Sequence, residues 1–192
     1  MNILLLGEYS GLNNELKSAL IRLGHDVTLA AANDFYKEYP ADINLGYGSN
    51  IYSYKLRQLF LPLFKSNKFK GYDIVHVINF YTFPRSPVLN LWLVKFLKKH
   101  NKAKIVILDI PLLLENKINS ERDILIFVES KKSDILKKLK KRKNFNQKLL
   151  KKFKEIQLST SYKKKKSKFI IKNDFTKKSV REGIKNILKE IV

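Results

Sequence analysis

Asp109 and Glu115 are two carboxylates flanking Ile110-Pro-Leu-Leu-Leu114, directly after the apolar run Ile105-Val-Ile-Leu108. Two acids at the end of such a run could serve a ligand-binding edge. The run before them is too short for a helix and rich in β-branched residues. It predicts a strand buried on both faces of a sheet. The acids then lie at the strand's C-terminal end, the edge where open α/β sheets bind ligands. The plainer reading is a strand ending in a proline turn with two solvated acids. His76, inside Ile74-Val-His-Val-Ile78, is the other group with proton chemistry. A single histidine inside a buried strand is expected to be a hydrogen-bonded core residue rather than a ligand or base.

The elements that must position these groups alternate along the chain. An apolar run at 2–6 is followed by Gly7-Glu-Tyr-Ser-Gly11, a helical pattern on Leu12, Leu16, Ala19, Leu20 and Leu23, a closing Gly24, and a strand over 25–30. This β-loop-α-β unit predicts a parallel pair with a right-handed crossover. Glycines at such a loop permit a phosphate or sugar to approach the helix start, but Gly7 and Gly11 make neither G-x-G-x-x-G nor G-x-x-x-x-G-K-[ST], and a tight turn needs the same glycines.

Residues 33–71 read as loop-rich, with one amphipathic helix over 53–64. An aromatic and proline loop at 79–87 and a helix over 88–100 follow the His76 strand. Beyond Glu115 the pattern predicts a strand over 123–128, a basic helix over 131–143, a helix over 147–158, a lysine cluster at 162–168, a strand at 169–171 and a C-terminal amphipathic helix over 176–192. The alternation argues for a layered α/β/α fold with a mainly parallel sheet and no internal repeat.

Composition narrows the classes. With 44% hydrophobic residues in 192, the chain can build one large core or two small ones. No run reaches the roughly 18–20 apolar residues of a membrane helix, and Met1 opens into a strand-like NILLLG, so the expectation is a soluble, cytoplasmic protein with no membrane span. The absence of cysteine excludes disulfides, thiolate zinc sites and a cysteine nucleophile within this sequence.

The net charge of +22 is uneven. Residues 1–102 carry 13 Lys/Arg against 7 Asp/Glu, and residues 103–192 carry 26 against 10. The second half therefore attracts polyanions, and nonspecific, salt-sensitive RNA binding is expected. Of the 39 basic residues, 33 are lysine, whereas bidentate phosphate reading favours arginine. A nucleic-acid module built on 131–168 would have only Phe145, Phe153 and Tyr162 to stack bases.

Residues 103–192 resemble the C-terminal half of dephospho-CoA kinase, a P-loop kinase of the nucleoside-monophosphate-kinase type. The family pattern is D-x-P-L-L-F-E, a strand, a basic lid helix with R-L-x-x-R, a glutamine, and A-D-x-x-I-x-N before a terminal helix. Asp109, Pro111, Leu112, Leu113 and Glu115 stand in place, with Leu114 for the aromatic. Arg142 matches the second lid arginine and Lys138 stands where the first is expected. Gln157 fits, and Ser167-Lys-Phe-Ile-Ile-Lys-Asn173 keeps the apolar core and the asparagine.

The resemblance implies ATP-dependent phosphorylation of the ribose 3′-hydroxyl of dephospho-CoA, the last step of coenzyme A biosynthesis. Asp109 would be general base or orienting group, and Arg142 would offset charge on the transferring phosphoryl. Asp109, Pro111, Leu112, Leu113, Glu115 and Gln157 would contact dephospho-CoA, and Arg142 and Asn173 the nucleotide. ATP with Mg2+ is the implied cofactor. The family's phosphate-binding G-x-x-x-x-G-K-[ST] occurs nowhere in the chain, which implies impaired or absent turnover.

Residues 1–102 instead resemble the N-terminal domain of a GT-B, family 4-like glycosyltransferase, through Met1-Asn-Ile-Leu-Leu-Leu-Gly-Glu-Tyr-Ser-Gly-Leu12, Leu20-Ile-Arg-Leu-Gly-His-Asp-Val27 and Gly71-Tyr-Asp-Ile-Val-His-Val77. The two resemblances divide the chain into halves at 1–102 and 103–192, joined near 96–104. A glycosyltransferase fragment is the alternative functional reading.

Overall fold

The computed structural model describes residues 1–8, 11–33, 39–47, 67–78, 105–143 and 145–191. The helices expected over 53–64 and 88–100, the aromatic loop at 79–87 and the joint at 96–104 lie outside the described residues. Two compact units emerge, Met1–Pro111 and Leu112–Val192.

The first unit is a five-stranded parallel sheet. Its strands are β1 (Asn2–Leu6), β2 (Asp26–Asn33), β3 (Ile43–Tyr47), β4 (Ile74–Ile78) and β5 (Ile105–Asp109), in the order β3-β2-β1-β4-β5. Helix α1 (Leu12–Arg22) makes the expected crossover between β1 and β2. The chain direction of strand addition reverses between β1 and β4, which makes the C-terminal edge there a topological switch point.

Because strand side chains alternate, the continuous apolar runs supply two cores. Ile3, Leu5, Val27, Leu29 and Ala31 form one, with Leu16 and Leu20 of α1 packed on them. Leu4, Leu6, Ala30, Leu45, Phe69, Val75 and Val77 form the other. The segment read as loop-rich thus contains β3 and a short 3₁₀ turn at Asn67–Phe69, and both deliver core residues, Leu45 and Phe69. The sequence Ile-Asn-Leu-Gly-Tyr hid a strand because its glycine and asparagine read as turn residues; pairing with β2 supplies the ordering that propensity does not.

β5 pairs with β4 in uninterrupted parallel register, from Ile74 with Ile105 to Ile78 with Asp109. One sheet therefore takes strands from both sides of residue 102. The expected burial of β5 on both faces is corrected, because Ile107 is 46% exposed.

The second unit contains β6 (Ile126–Glu129) and β7 (Phe169–Lys172), paired in parallel, with helices α2 (Lys132–Lys140), α3 (Gln147–Glu155), α4 (Thr160–Lys166) and α5 (Lys177–Ile191). The lysine cluster is thus mostly helical: Ser159 caps α4 by accepting the Tyr162 N–H at 3.2 Å. α5 packs on β7, where Gly183 lets the helix approach closely; a Cβ there would lie 3.0 Å from Ile171 Cγ2.

Candidate functional site

In the first unit the chemistry gathers at the C-terminal ends of β1, β4 and β5. Gly7 leaves β1 at φ 89, and a Cβ on it would lie 2.3 Å from the Ile78 carbonyl oxygen at the end of β4. Only glycine permits that approach. Glu8 then turns onto the start of α1. Its carboxylate accepts the Asn14 N–H at 3.0 Å, the Asn13 N–H at 3.4 Å and Asn14 Nδ2 at 2.7 Å. An anion on helix-start amides is favoured by the helix dipole, and here the chain supplies its own. Asn13 is fully buried; its Nδ2 donates to the Gly7 carbonyl at 2.7 Å, while its Oδ1 finds no partner among the described residues.

Asp109 ends β5 with its side chain exposed. Register puts His76 beside Ile107 and Asp109 beside Ile78, so His76 and Asp109 share one sheet face. Burial pushes the His76 pKa below its usual value, and the nearby Asp109 charge opposes that shift. The expectation of a hydrogen-bonded core histidine is corrected at one atom: Nδ1 is buried and, among the described residues, finds no hydrogen-bond partner. The residues beside it in register, Leu5 and Ile107, are apolar and offer its ring nothing to bond.

The second unit holds the other predicted residues. Pro111 is exposed at the end of the first unit, and Leu112 opens the second at φ 56, an uncommon value for a branched residue. Leu112, Leu113 and Leu114 accept backbone bonds from Asn116, Ile118 and Lys117, so this loop closes on itself. Glu115 pairs with Lys163 at 2.6 Å and accepts the Leu158 N–H at 2.9 Å. That contact brings the loop beside Gln157, which is exposed and directly precedes Leu158. Arg142 is exposed just after α2, its N–H bonded to the Leu139 carbonyl at 3.0 Å.

Asn173 lines a surface groove of about 540 Å³. Lys138, Phe175, Val180, Arg181 and Ile184 help to line it, and Arg142 does not. Phe175 sits at φ 67, its N–H donated to Asn173 Oδ1 at 2.8 Å, and Lys138 Nζ lies 4.4 Å from its ring centroid. Lys138 thus sets its ammonium against an aromatic face. Asp174 is held at a pKa of about 2 by the Ser179 and Thr176 hydroxyls and the Thr176 amide, which fixes the turn into α5. Sequence reasoning missed Glu8, Lys163 and Phe175 as site-forming residues. Phe175, two residues beyond the matched asparagine, carried the clearest signal of the three.

An ATP phosphate cradle does not fit the first βα turn. Glu8 already takes the α1 amides, and Leu12 and Asn13 follow Gly11 where a lysine and a hydroxyl would be needed. Among the described residues no cluster of three or more His, Asp or Glu side chains is arranged to hold a metal ion.

A parallel sheet with a carboxylate at its C-terminal edge, followed by basic helices and a β-α terminal pair, defines the layered α/β/α class shared by Rossmann and P-loop kinase folds. Within that class the dephospho-CoA kinase (CoaE) family matches residues 65–179, and the chain belongs to that family. The match begins ahead of the 102/103 division and takes in both β4 and β5. The chain is also 33% identical over 98 residues to a dephospho-CoA kinase of Wolbachia pipientis wMel, covering 50% of each protein. It therefore spans about half the length of that relative. Among the described residues no helix is long and apolar enough to cross a membrane.

Proposed function

We propose that the chain binds dephospho-CoA at the C-terminal edge of β5 and presents its ribose 3′-hydroxyl for phosphorylation by ATP. The observation that carries this reading is the place of Asp109: an exposed carboxylate at a strand's C-terminal end, inside the family match and ahead of a loop set by the left-handed Leu112. Asp109 accepts or orients the hydroxyl proton as the oxygen attacks. In this reading Pro111, Leu112, Leu113, Glu115 and Gln157 contact dephospho-CoA, each carried over from the family motif. Arg142 offsets charge spreading onto the transferring phosphoryl oxygens.

The groove beside Asn173 is the nucleotide-base side of this reading, with an aromatic face, an amide and an adjacent cation. Because the phosphate-binding motif is absent from the sequence, turnover by this chain alone is expected to fall far below that of a kinase carrying it.

Isothermal titration with dephospho-CoA, paired with a coupled ATP assay, tests the proposal. Binding of dephospho-CoA with weak turnover is expected, with Asp109→Asn keeping the binding and losing the remaining turnover. Absence of any dephospho-CoA binding overturns it.

A further inference from the structure

Helix α3 has a surface that nucleotide chemistry does not use. Asn146 caps it, accepting the Leu149 N–H at 3.1 Å, and none of its residues is buried. Leu149 is 50% exposed, Phe153 51% and Ile156, at its C-terminal end, 57%, with Leu150 half-buried between them. At 3.6 residues per turn these four fall within an arc of roughly 120°. Lys148, Lys151, Lys152 and Lys154 take the rest of the circumference, with Lys152 and Lys154 at the two margins of the apolar arc.

We infer that α3 is a docking surface for a lipid bilayer rich in anionic headgroups. The helix carries four lysines against the single Glu155, and α2 and α4 add Lys137, Lys140 and Lys165 within the same strongly basic unit. That charge attracts an anionic surface, and the half-exposed Leu149, Phe153 and Ile156 gain only where hydrocarbon is available. Lysines at both margins can extend to headgroups while the arc lies at the acyl boundary. A nucleic acid satisfies the lysines but leaves two aliphatic side chains in water, which favours the bilayer.

The test is co-sedimentation of the whole chain with vesicles of phosphatidylcholine alone and of phosphatidylcholine with about one-third phosphatidylglycerol, at low and physiological salt. Pelleting with the anionic vesicles and not the neutral ones is expected, weakened by salt. Phe153→Ser lowers the partition on the order of tenfold, and Leu149→Ser, which alters a different turn of the helix, does the same. Circular dichroism checks that both variants keep their helices. Failure to pellet with anionic vesicles overturns the inference. So does unchanged vesicle binding in both variants, which would reduce the surface to general polyanion attraction.

Discussion

Glu115 and Lys163 face each other at 2.6 Å, and the same Glu115 oxygen accepts the Leu158 N–H at 2.9 Å. The contact fastens the loop that follows Asp109 to the chain entering α4. Both side chains are largely shielded, at 11% and 22% exposure, so the pair is screened less than a surface ion pair.

Glu115→Gln should therefore destabilise the second unit by about 1 kcal/mol at neutral pH. Burial acts to raise the Glu115 pKa, but Lys163 and the backbone amides outweigh it and hold the carboxyl below its ordinary value. A lowered folded-state pKa contributes stability that is present above the ordinary glutamate range and is lost as pH falls through the folded value. Urea midpoints should differ between parent and variant at pH 7 and converge in acid. A constant gap across that range would contradict the assignment.

His76 and Asp109 give a second pH signature. Burial lowers the His76 pKa and Asp109 partly restores it, so Asp109→Asn should lower it further. Because the folded pKa lies below the ordinary value, this histidine contributes stability that is lost as pH falls. An NMR titration of the imidazole reads the shift directly. An unchanged value in the variant would show that Asp109 does not act on His76.

Gly7→Ala should be among the most damaging single changes in the first unit. The new methyl meets the Ile78 carbonyl oxygen and the backbone is left-handed, so a cost of about 2–5 kcal/mol is expected. Gly24→Ala has the same sign of φ but nothing within 4 Å of its Cβ, so it should cost less. Chemical denaturation of the two variants side by side measures the difference.

Glu8→Ala removes the carboxylate from the start of α1 and should cost about 1 kcal/mol. Glu8→Gln should retain part of that, since its amide oxygen can still accept the Asn14 N–H while the charge on the helix dipole is lost. Thermal unfolding of both should order them Ala below Gln below parent.

At the Asn173 groove, Phe175→Ala removes the aromatic face and should weaken binding of an adenosine nucleotide roughly tenfold. Lys138→Gln should have a smaller effect, because it leaves the ring itself in place. Titration with a non-hydrolysable ATP analogue separates the two.

Much of this was open to sequence reasoning. The short apolar runs marked β1, β4 and β5 as strands, Gly11 and Gly24 bounded α1, and Asp109 fell at a strand's C-terminal end by pattern alone. These are local properties, written in side-chain periodicity and turn chemistry, and the family motif from Asp109 to Asn173 is local in the same sense. β3 escaped because its five residues depend on β2 for their order.

What the sequence by itself determined is thus the layered parallel α/β class, the dephospho-CoA kinase resemblance carried by residues 103–192 and the identity of the acidic group at the strand end. Tertiary structure alone decided that β5 joins the front strands in one sheet, and that Glu115 is answered by Leu158, 43 residues away. It also decided that the α1 start is filled by Glu8, and that Lys138 faces Phe175. The physical reason is the same in each case: periodicity reports which face a side chain takes, whereas hydrogen bonds and ion pairs depend on which distant backbone arrives beside it.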